Sequence, residues 1–347
     1  MFVADFDYEL PPELIAQAPP ESRDGGRLLV LGRDSGSIAH GSILSLPDFL
    51  RPGDLLVVNN TKVFPARLLG RRVPSGGAVE CLLVAPLDGD RWEALVHPGQ
   101  KLKPGARARF ERNDRVVDAE ILERRFYGRR VVRLWTPDGD DVDSAIDVIG
   151  HVPLPPYIKR ADRPEDLDRY QTVVARTRGS VAAPTAGLHL SERLLVALAA
   201  RGVERTELTL HVGYGTFKPV RVDRVEDHEV DAERLEIGEA AASAIARARD
   251  QARRVIAVGT TTTRALEAAA AATGRVEPMR CATSLFIHPG HRFRVVDGLL
   301  TNFHLPRSSL LMLVSALAGR ERVLAAYREA VAHRYRFYSY GDAMLIV

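Results

Sequence analysis

Apolar and polar positions alternate in short runs through the middle of the chain, at residues 78–86, 91–98, 106–110, 116–122 and 129–135. Gly, Pro, Asn or Asp separates each run from the next. Successive side chains of a strand point to opposite faces, so this period of two with regular breaks predicts a small antiparallel barrel or sandwich. The flanks carry other periods. Residues 54–59 are a short apolar run ending in polar residues, 206–210 alternate, and Val255-Ile256-Ala257-Val258 is continuously apolar, as a buried strand is. Alanine-rich residues 239–254 and 264–273 predict helices, the second closed by Gly274 as a C-cap. Residues 191–200 read as a third, and a long apolar helix is expected after Pro306. Strands alternating with helices form an α/β pattern. The simplest organisation is a major α/β domain formed by both chain ends (1–66 and 151–347) with an inserted antiparallel β-barrel domain at 67–150. Residues 59–67 lead into the insert, and Pro153, Pro155 and Pro156 stiffen an extended return. A cleft between two such domains is a natural ligand site.

Composition narrows the class. With 46% hydrophobic and 27% charged residues, 347 residues suffice for a sizeable core. The acidic start, Asp5 and Asp7 among apolar residues, lacks the basic flank and long apolar run of a secretory signal. The most apolar stretch, 305–319, is interrupted by Pro306 and Arg307 and falls short of the roughly 18 apolar residues of a membrane span. Cys81 and Cys281 stand far apart without companions at ligand spacing, so neither structural zinc nor any other metal is expected. The reading is a cytoplasmic monomer with no membrane partner. A net charge of +3 does not by itself argue for nucleic acid. Residues 107–133 hold nine arginines against five acids, +4, and are candidates for phosphate contacts, although exposed barrel strands often carry such charge.

Several segments carry groups suited to chemistry. Gly259-Thr260-Thr261-Thr262-Thr263, between a strand and a helix, offers backbone N–H groups and hydroxyls to an anionic ligand; the competing account is an N-cap with spare threonines. It lacks the lysine of a Walker A loop. The small residues from Gly179 through Thr185 and Gly187 bring His189 near a helix start, where a neutral, proton-accepting imidazole is favoured. His211-Val212-Gly213-Tyr214-Gly215-Thr216-Phe217 ends a strand, with two glycines that leave room for a flat ligand to stack on Tyr214 or Phe217. Asp227-His228-Glu229-Val230-Asp231-Ala232-Glu233 is a dense set of proton carriers, or a solvated charge run. Asn302 and His304 have the donors and acceptors to read a base edge, or to cap the next helix. The segment Tyr335-Arg336-Phe337-Tyr338-Ser339-Tyr340-Gly341-Asp342 interleaves aromatics with arginine, as single-stranded nucleic acid requires, or packs its aromatics on a terminal strand.

Together and in this order the segments resemble one family, the S-adenosylmethionine:tRNA ribosyltransferase-isomerases, nearly end to end. The marks are Asp5-Phe6-Asp7-Tyr8-Glu9-Leu10-Pro11, Asn59-Asn60-Thr61-Lys62-Val63-Phe64-Pro65-Ala66-Arg67-Leu68, Pro153-Leu154-Pro155-Pro156-Tyr157-Ile158 and Arg169-Tyr170-Gln171-Thr172-Val173, followed by the later segments above with Arg264. The resemblance implies an α/β domain with an inserted β-barrel and a place in queuosine biosynthesis. It implies S-adenosylmethionine as co-substrate and tRNA bearing 7-aminomethyl-7-deazaguanine at the wobble position as acceptor. The sulfonium acidifies the adjacent ribose carbon, so a base starts the reaction and an acid helps adenine leave. His189 or His211 is expected as a proton carrier, with Glu233 or Asp342 balancing the sulfonium. Thr185, Gly187, Gly213, Gly215, Thr216, Gly259, Thr260 and Thr261 are expected at the cofactor. Arg67, Tyr170, Gln171, Asn302, His304, Arg336 and Tyr340 are expected at the tRNA. The family often has a second histidine where this chain has Asp231. A paralogous transferase with another substrate and a tRNA-binding protein without turnover are the alternatives.

Overall fold

The computed structural model describes residues 1–347, save the side chains of Tyr127 and Phe217. In chain order its strands are β1 (Arg27–Leu31), β2 (Ile38–Ser42), β3 (Leu55–Asn59), β4 (Thr61–Val63), β5 (Arg67–Val73), β6 (Ala78–Pro86), β7 (Arg91–His97), β8 (Arg107–Arg112) and β9 (Arg115–Arg124). They continue as β10 (Arg129–Trp135), β11 (Thr177–Ser180), β12 (Glu204–Leu210), β13 (Glu233–Ile237), β14 (Val255–Val258), β15 (Met279–Thr283), β16 (Gly298–Asn302) and β17 (Ala343–Ile346).

Strands β5 to β10 close into an antiparallel barrel in the order β10-β7-β6-β5-β8-β9. The alternation of the sequence is its cause: Leu68, Cys81, Leu83, Phe110, Val117 and Val132 point inward and are buried, while polar neighbours face out. Burial in this core raises the Cys81 thiol to about 12, so it behaves as an apolar side chain. The helix Val142–Ile149 plugs the barrel with Ala145, Ile146 and Ile149, and its N-cap Asp141 accepts from Ser144 N at 2.8 Å. Phe64 and Val181 join the same cluster, seating the barrel on the rest of the molecule. The sixth strand, β5, was hidden from sequence patterning because Gly70 and consecutive arginines break its alternation.

The larger sheet has the order β15-β13-β12-β3-β14-β16-β17-β1-β2. Its centre, β12, β3, β14 and β16, is parallel; β17 runs antiparallel to β16 and parallel to β1. Every residue of β3 and β14 is buried, which accounts for their continuous apolar runs, since helices cover both faces. The helices Glu239–Asp250, Thr260–Thr273, Ser309–Ala318 and Arg320–Ala332 pack on one face, and Glu192–Ala200 on the other.

Three expectations change. The helix expected over 239–254 ends at Asp250, where Ala252 turns through φ 50° and Asp54 draws Arg254 to the start of β14 at 2.9 Å. The helix expected from 264 begins at Thr260, so the threonines form its first turn. The aromatic segment is a loop leading into β17, not a strand.

Candidate active site

Strands β3, β14 and β16 stop at one edge of the sheet, where a narrow cavity opens to solvent, lined among others by Thr185, Thr216, Thr261, Asn302, His304 and Tyr338. Gly259 joins β14 to the helix Thr260–Thr273 with φ 92° and ψ 153°, a conformation essentially reserved to glycine. Thr262 and Thr263 turn their hydroxyls back onto the carbonyls of Val258 and Gly259, at 2.7 and 3.2 Å. Gly259, Thr260 and Thr261 stay on the cavity wall, and the Thr261 hydroxyl is buried without a protein partner. With no side-chain cap on this helix, its first amides are available to a ligand.

Asn302, at the end of β16, donates from Nδ2 to His189 Nε2 and to the Tyr338 carbonyl, each at 3.0 Å, while its Oδ1 is buried and unpartnered. His189 therefore sits behind Asn302 rather than on the wall. Burial pulls its pKa down to about 4 in spite of Asp342 nearby, so the ring is neutral. His304 gives Nε2 to the Thr301 hydroxyl at 3.0 Å, and its backbone N–H donates to the Tyr327 hydroxyl at 3.1 Å. Its carbonyl accepts from Tyr8, and Nδ1 is left without a protein partner. Burial lowers this imidazole to about 3. Tyr338 lies across from them at φ 75°, unusual for a bulky residue, and is held there by Asn302 and by its own N–H on the Phe303 carbonyl at 3.0 Å. Burial pushes its phenol up to about 12, so it keeps its proton.

A second basin of about 1650 Å³ adjoins the first, sharing Thr216 and Leu310. Glu233, buried at the start of β13, accepts from Arg264 at 2.7 Å, from Gly213 N at 2.9 Å and from the Thr216 hydroxyl at 3.3 Å. The Arg264 Nη2 is buried without a partner. Asp231 in the same basin bonds Lys218 at 2.7 Å and Arg129 of the barrel at 2.6 Å, so the departure from the family's histidine coincides with a bridge to the other lobe. Tyr214 borders this basin and a third of about 1060 Å³ between the barrel and the 153–158 connector. Arg67 lies in the third, gripped by Glu80 at 2.8 and 3.0 Å. The alternative stacking ring, Phe217, lies outside the described residues.

Other sequence-derived candidates are placed elsewhere. His211 packs on Gly179 and bonds the Thr61 hydroxyl at 2.8 Å, away from the three basins; burial lowers it to about 4. Asp342 is bonded by the Arg27 backbone at 3.0 Å, the Arg27 guanidinium at 3.0 Å and Arg336 N at 2.8 Å, which makes it a clamp for the aromatic loop. Arg336 serves that clamp, Tyr340 donates to Asp166 at 3.1 Å, and Tyr170 is fully buried against it. Gln171 exchanges two bonds with the Val63 backbone, at 3.0 and 2.6 Å. Gly187 packs on Thr172, and Gly215 gives room to Asp231. Sequence reasoning missed Tyr338, Ser339 and Tyr157 on the first cavity and the buried ion pair of Arg264. Arg264 had a signal, standing one helical turn after Thr260; Tyr338 had none, since only the backbone angle distinguishes it from its neighbours.

A cavity at the carboxyl ends of parallel strands, entered by a glycine turn and with the neutral imidazole of His304 on its wall, defines an α/β enzyme that takes a small polar organic ligand. The chain belongs to the queuosine biosynthesis protein family, whose model matches residues 3–346. It is 53% identical over 348 residues to the S-adenosylmethionine:tRNA ribosyltransferase-isomerase of Heliobacterium modesticaldum, covering 100% of both chains. The enzyme of that name from Anaeromyxobacter sp. is 54% identical over 355 residues, 100% of this chain and 99% of the relative. The crystal structure of S-adenosylmethionine tRNA ribosyltransferase from Thermotoga maritima is 38% identical, with a TM-score of 0.56 across 99% of this chain and 100% of that one.

Proposed function

We propose that this protein transfers the ribosyl part of S-adenosylmethionine to 7-aminomethyl-7-deazaguanine at the wobble position of tRNA and isomerises it. The product is epoxyqueuosine in tRNA, with adenine and methionine released. The observation that carries the reading is likeness along the entire chain to enzymes named for this reaction, joined to a strand-end cavity with unpartnered polar atoms on its wall. It takes residues 67–150 as the inserted domain and the protein as a cytoplasmic monomer.

The amides of Thr260 and Thr261 at the helix start suit the carboxylate of the methionine portion, while the Gly259 amide donates to the Leu300 carbonyl at 2.8 Å. The unpartnered Asn302 Oδ1 and Thr261 hydroxyl suit hydroxyl or amino hydrogens of the ligand. Among the singled-out histidines, His304 is the one on the cavity wall, with Nδ1 without a protein partner, and takes the proton from the ribose carbon beside sulfur. Its depressed pKa makes the protonated ring a strong acid, which hands the proton to departing adenine. His189 acts through Asn302, fixing the amide's orientation. Glu233, beside Thr216, lends negative potential that its bond to Arg264 tempers. Arg67 and Tyr214 border the basin between the lobes, where the tRNA base enters.

Adenine release from S-adenosylmethionine with precursor tRNA tests the assignment. His304→Ala is expected to lower the rate by about 10²–10⁴-fold. His189→Ala loses less, and His211→Ala stays near wild type. A wild-type rate in His304→Ala removes it from the reaction. Adenine released without the precursor base points to a different acceptor, and none under any condition leaves a tRNA-binding protein.

A further inference from the structure

Outside the three basins, on the far side of the aromatic loop, His40 of β2 meets Glu329 and His333 at the carboxyl end of the helix Arg320–Ala332. We propose that His40, Glu329 and His333 form a binding site for a divalent transition-metal ion, zinc by its ligand set, which fastens β2 to that helix. One ring nitrogen from each histidine and one carboxylate oxygen lie within 4.8 Å of one another. Glu329 Oε1 is 3.6 Å from His40 Nε2 and 3.3 Å from His333 Nδ1. Ligands on tetrahedral zinc at the usual bond lengths stand about 3.3 Å apart, so two separations are already close to those of a bound ion; His333 Nδ1 also meets the Glu329 carbonyl at 3.0 Å, a contact the ion would replace. Partly exposed side chains can close the rest by small rotations.

The Tyr335 hydroxyl lies 2.8 Å from His40 Nδ1 and 3.3 Å from the Leu28 carbonyl. His40 Nε2 faces the Glu329 carboxylate at 3.6 Å, beyond ordinary hydrogen-bond length. Tyr335 is buried and fixes the ring, the second partner that ligating histidines commonly have. Glu329 and His333, four residues apart, share one face of the helix end. The guanidinium of Arg27, which reaches this helix end, is committed to Asp342 and to the carbonyls of His333 and Arg334. The sequence concealed this set because it joins residue 40 to residues 329 and 333. Its consequence is local: the loop from His333 to Asp342, which brings Tyr338 and Ser339 to the cavity, departs directly from it.

The test uses full-length protein without a histidine tag, stripped by chelator and titrated with zinc in a calorimeter while Tm is followed. One equivalent should bind and Tm should rise, whereas magnesium should do neither. His40→Ala and Glu329→Gln should each weaken zinc binding by about tenfold or more and abolish the Tm rise. Circular dichroism of the metal-free variants confirms that they fold, and His333→Gln replaces any that does not. Absence of stoichiometric binding, or binding unchanged in both variants, overturns the proposal. Because the readout is metal affinity, it stands or falls apart from the reaction proposed above.

Discussion

Burial holds three imidazoles neutral, and their titration reaches beyond the reaction. Unfolded histidine takes up its proton near pH 6.5. In the folded protein His189 and His211 do so only near about 4, and His304 near about 3. Between these limits the unfolded chain binds more protons, so stability is fully present above about pH 6.5 and falls on acidification toward about pH 4. The slope approaches about 1.4 kcal/mol per pH unit for each fully buried histidine and is smaller for the half-exposed His211. Urea denaturation at pH 7, 6 and 5 should show it, and His189→Asn should flatten it. Glu233 obeys a different rule. Its carboxylate neutralises a buried guanidinium, so Glu233→Ala should cost about 3–5 kcal/mol in the urea midpoint by stranding Arg264. A loss within experimental error would mean that water reaches the pair.

Elements translate such local demands into a site. Gly259 is where β14 must turn directly into a helix, at angles other residues rarely adopt. Gly259→Ala is expected to cost about 1–3 kcal/mol and to weaken S-adenosylmethionine binding together with stability, read by calorimetry and thermal melting. Much at this scale was legible in sequence. Five of the six barrel strands showed through alternation, because one face of each is buried, and the buried core strands showed through continuous apolar runs. What hid was either non-local or angular. Strand β1 pairs with β2 on one side and with the distant β17 on the other, so no single window displays both of its partners. Of the aromatic loop, Tyr338 and Ser339 line the cavity, while the Arg336 backbone bonds Asp342 and Tyr340 bonds Asp166. The glycine turn after β14 was readable because its chemistry is local, whereas the helix that follows starts at Thr260 and not at 264. His189 was legible as a neutral histidine but not as the support of Asn302, which stands 113 residues later.

Over the whole molecule, the arginine excess of the barrel is mostly internal. Arg109 pairs with Asp118, Arg133 with Glu120, Arg129 with Glu93 and Asp231, and Arg115 with Asp140, while Arg125 lies within salt-bridge distance of Glu93 and Glu123. Arg107 stands 3.9 Å from Glu120, and Arg130 is buried among the carbonyls of Gly99 and Leu102. Among the described residues Arg112 and Arg124 alone of the nine lack such partners, and both are exposed. If phosphates are contacted there, Arg112→Ala and Arg124→Ala should weaken tRNA binding and each reduce its salt dependence by about one ion. Arg109→Ala should change it little. Filter binding at several salt concentrations separates the two outcomes.

The position of β17 also constrains how the protein comes into being. It is wedged between β16 and β1, yet more than three hundred residues of translation separate β1 from the strand that must lie beside it. A nascent chain on the ribosome can assemble the barrel early, but it carries β1 and β2 without their interior neighbour until residues 343–346 emerge. The cavity proposed as the catalytic centre, bounded by the loop just ahead of β17, is then completed only as synthesis of this region finishes, so chains lacking residues 343–346 should bind no nucleoside at all.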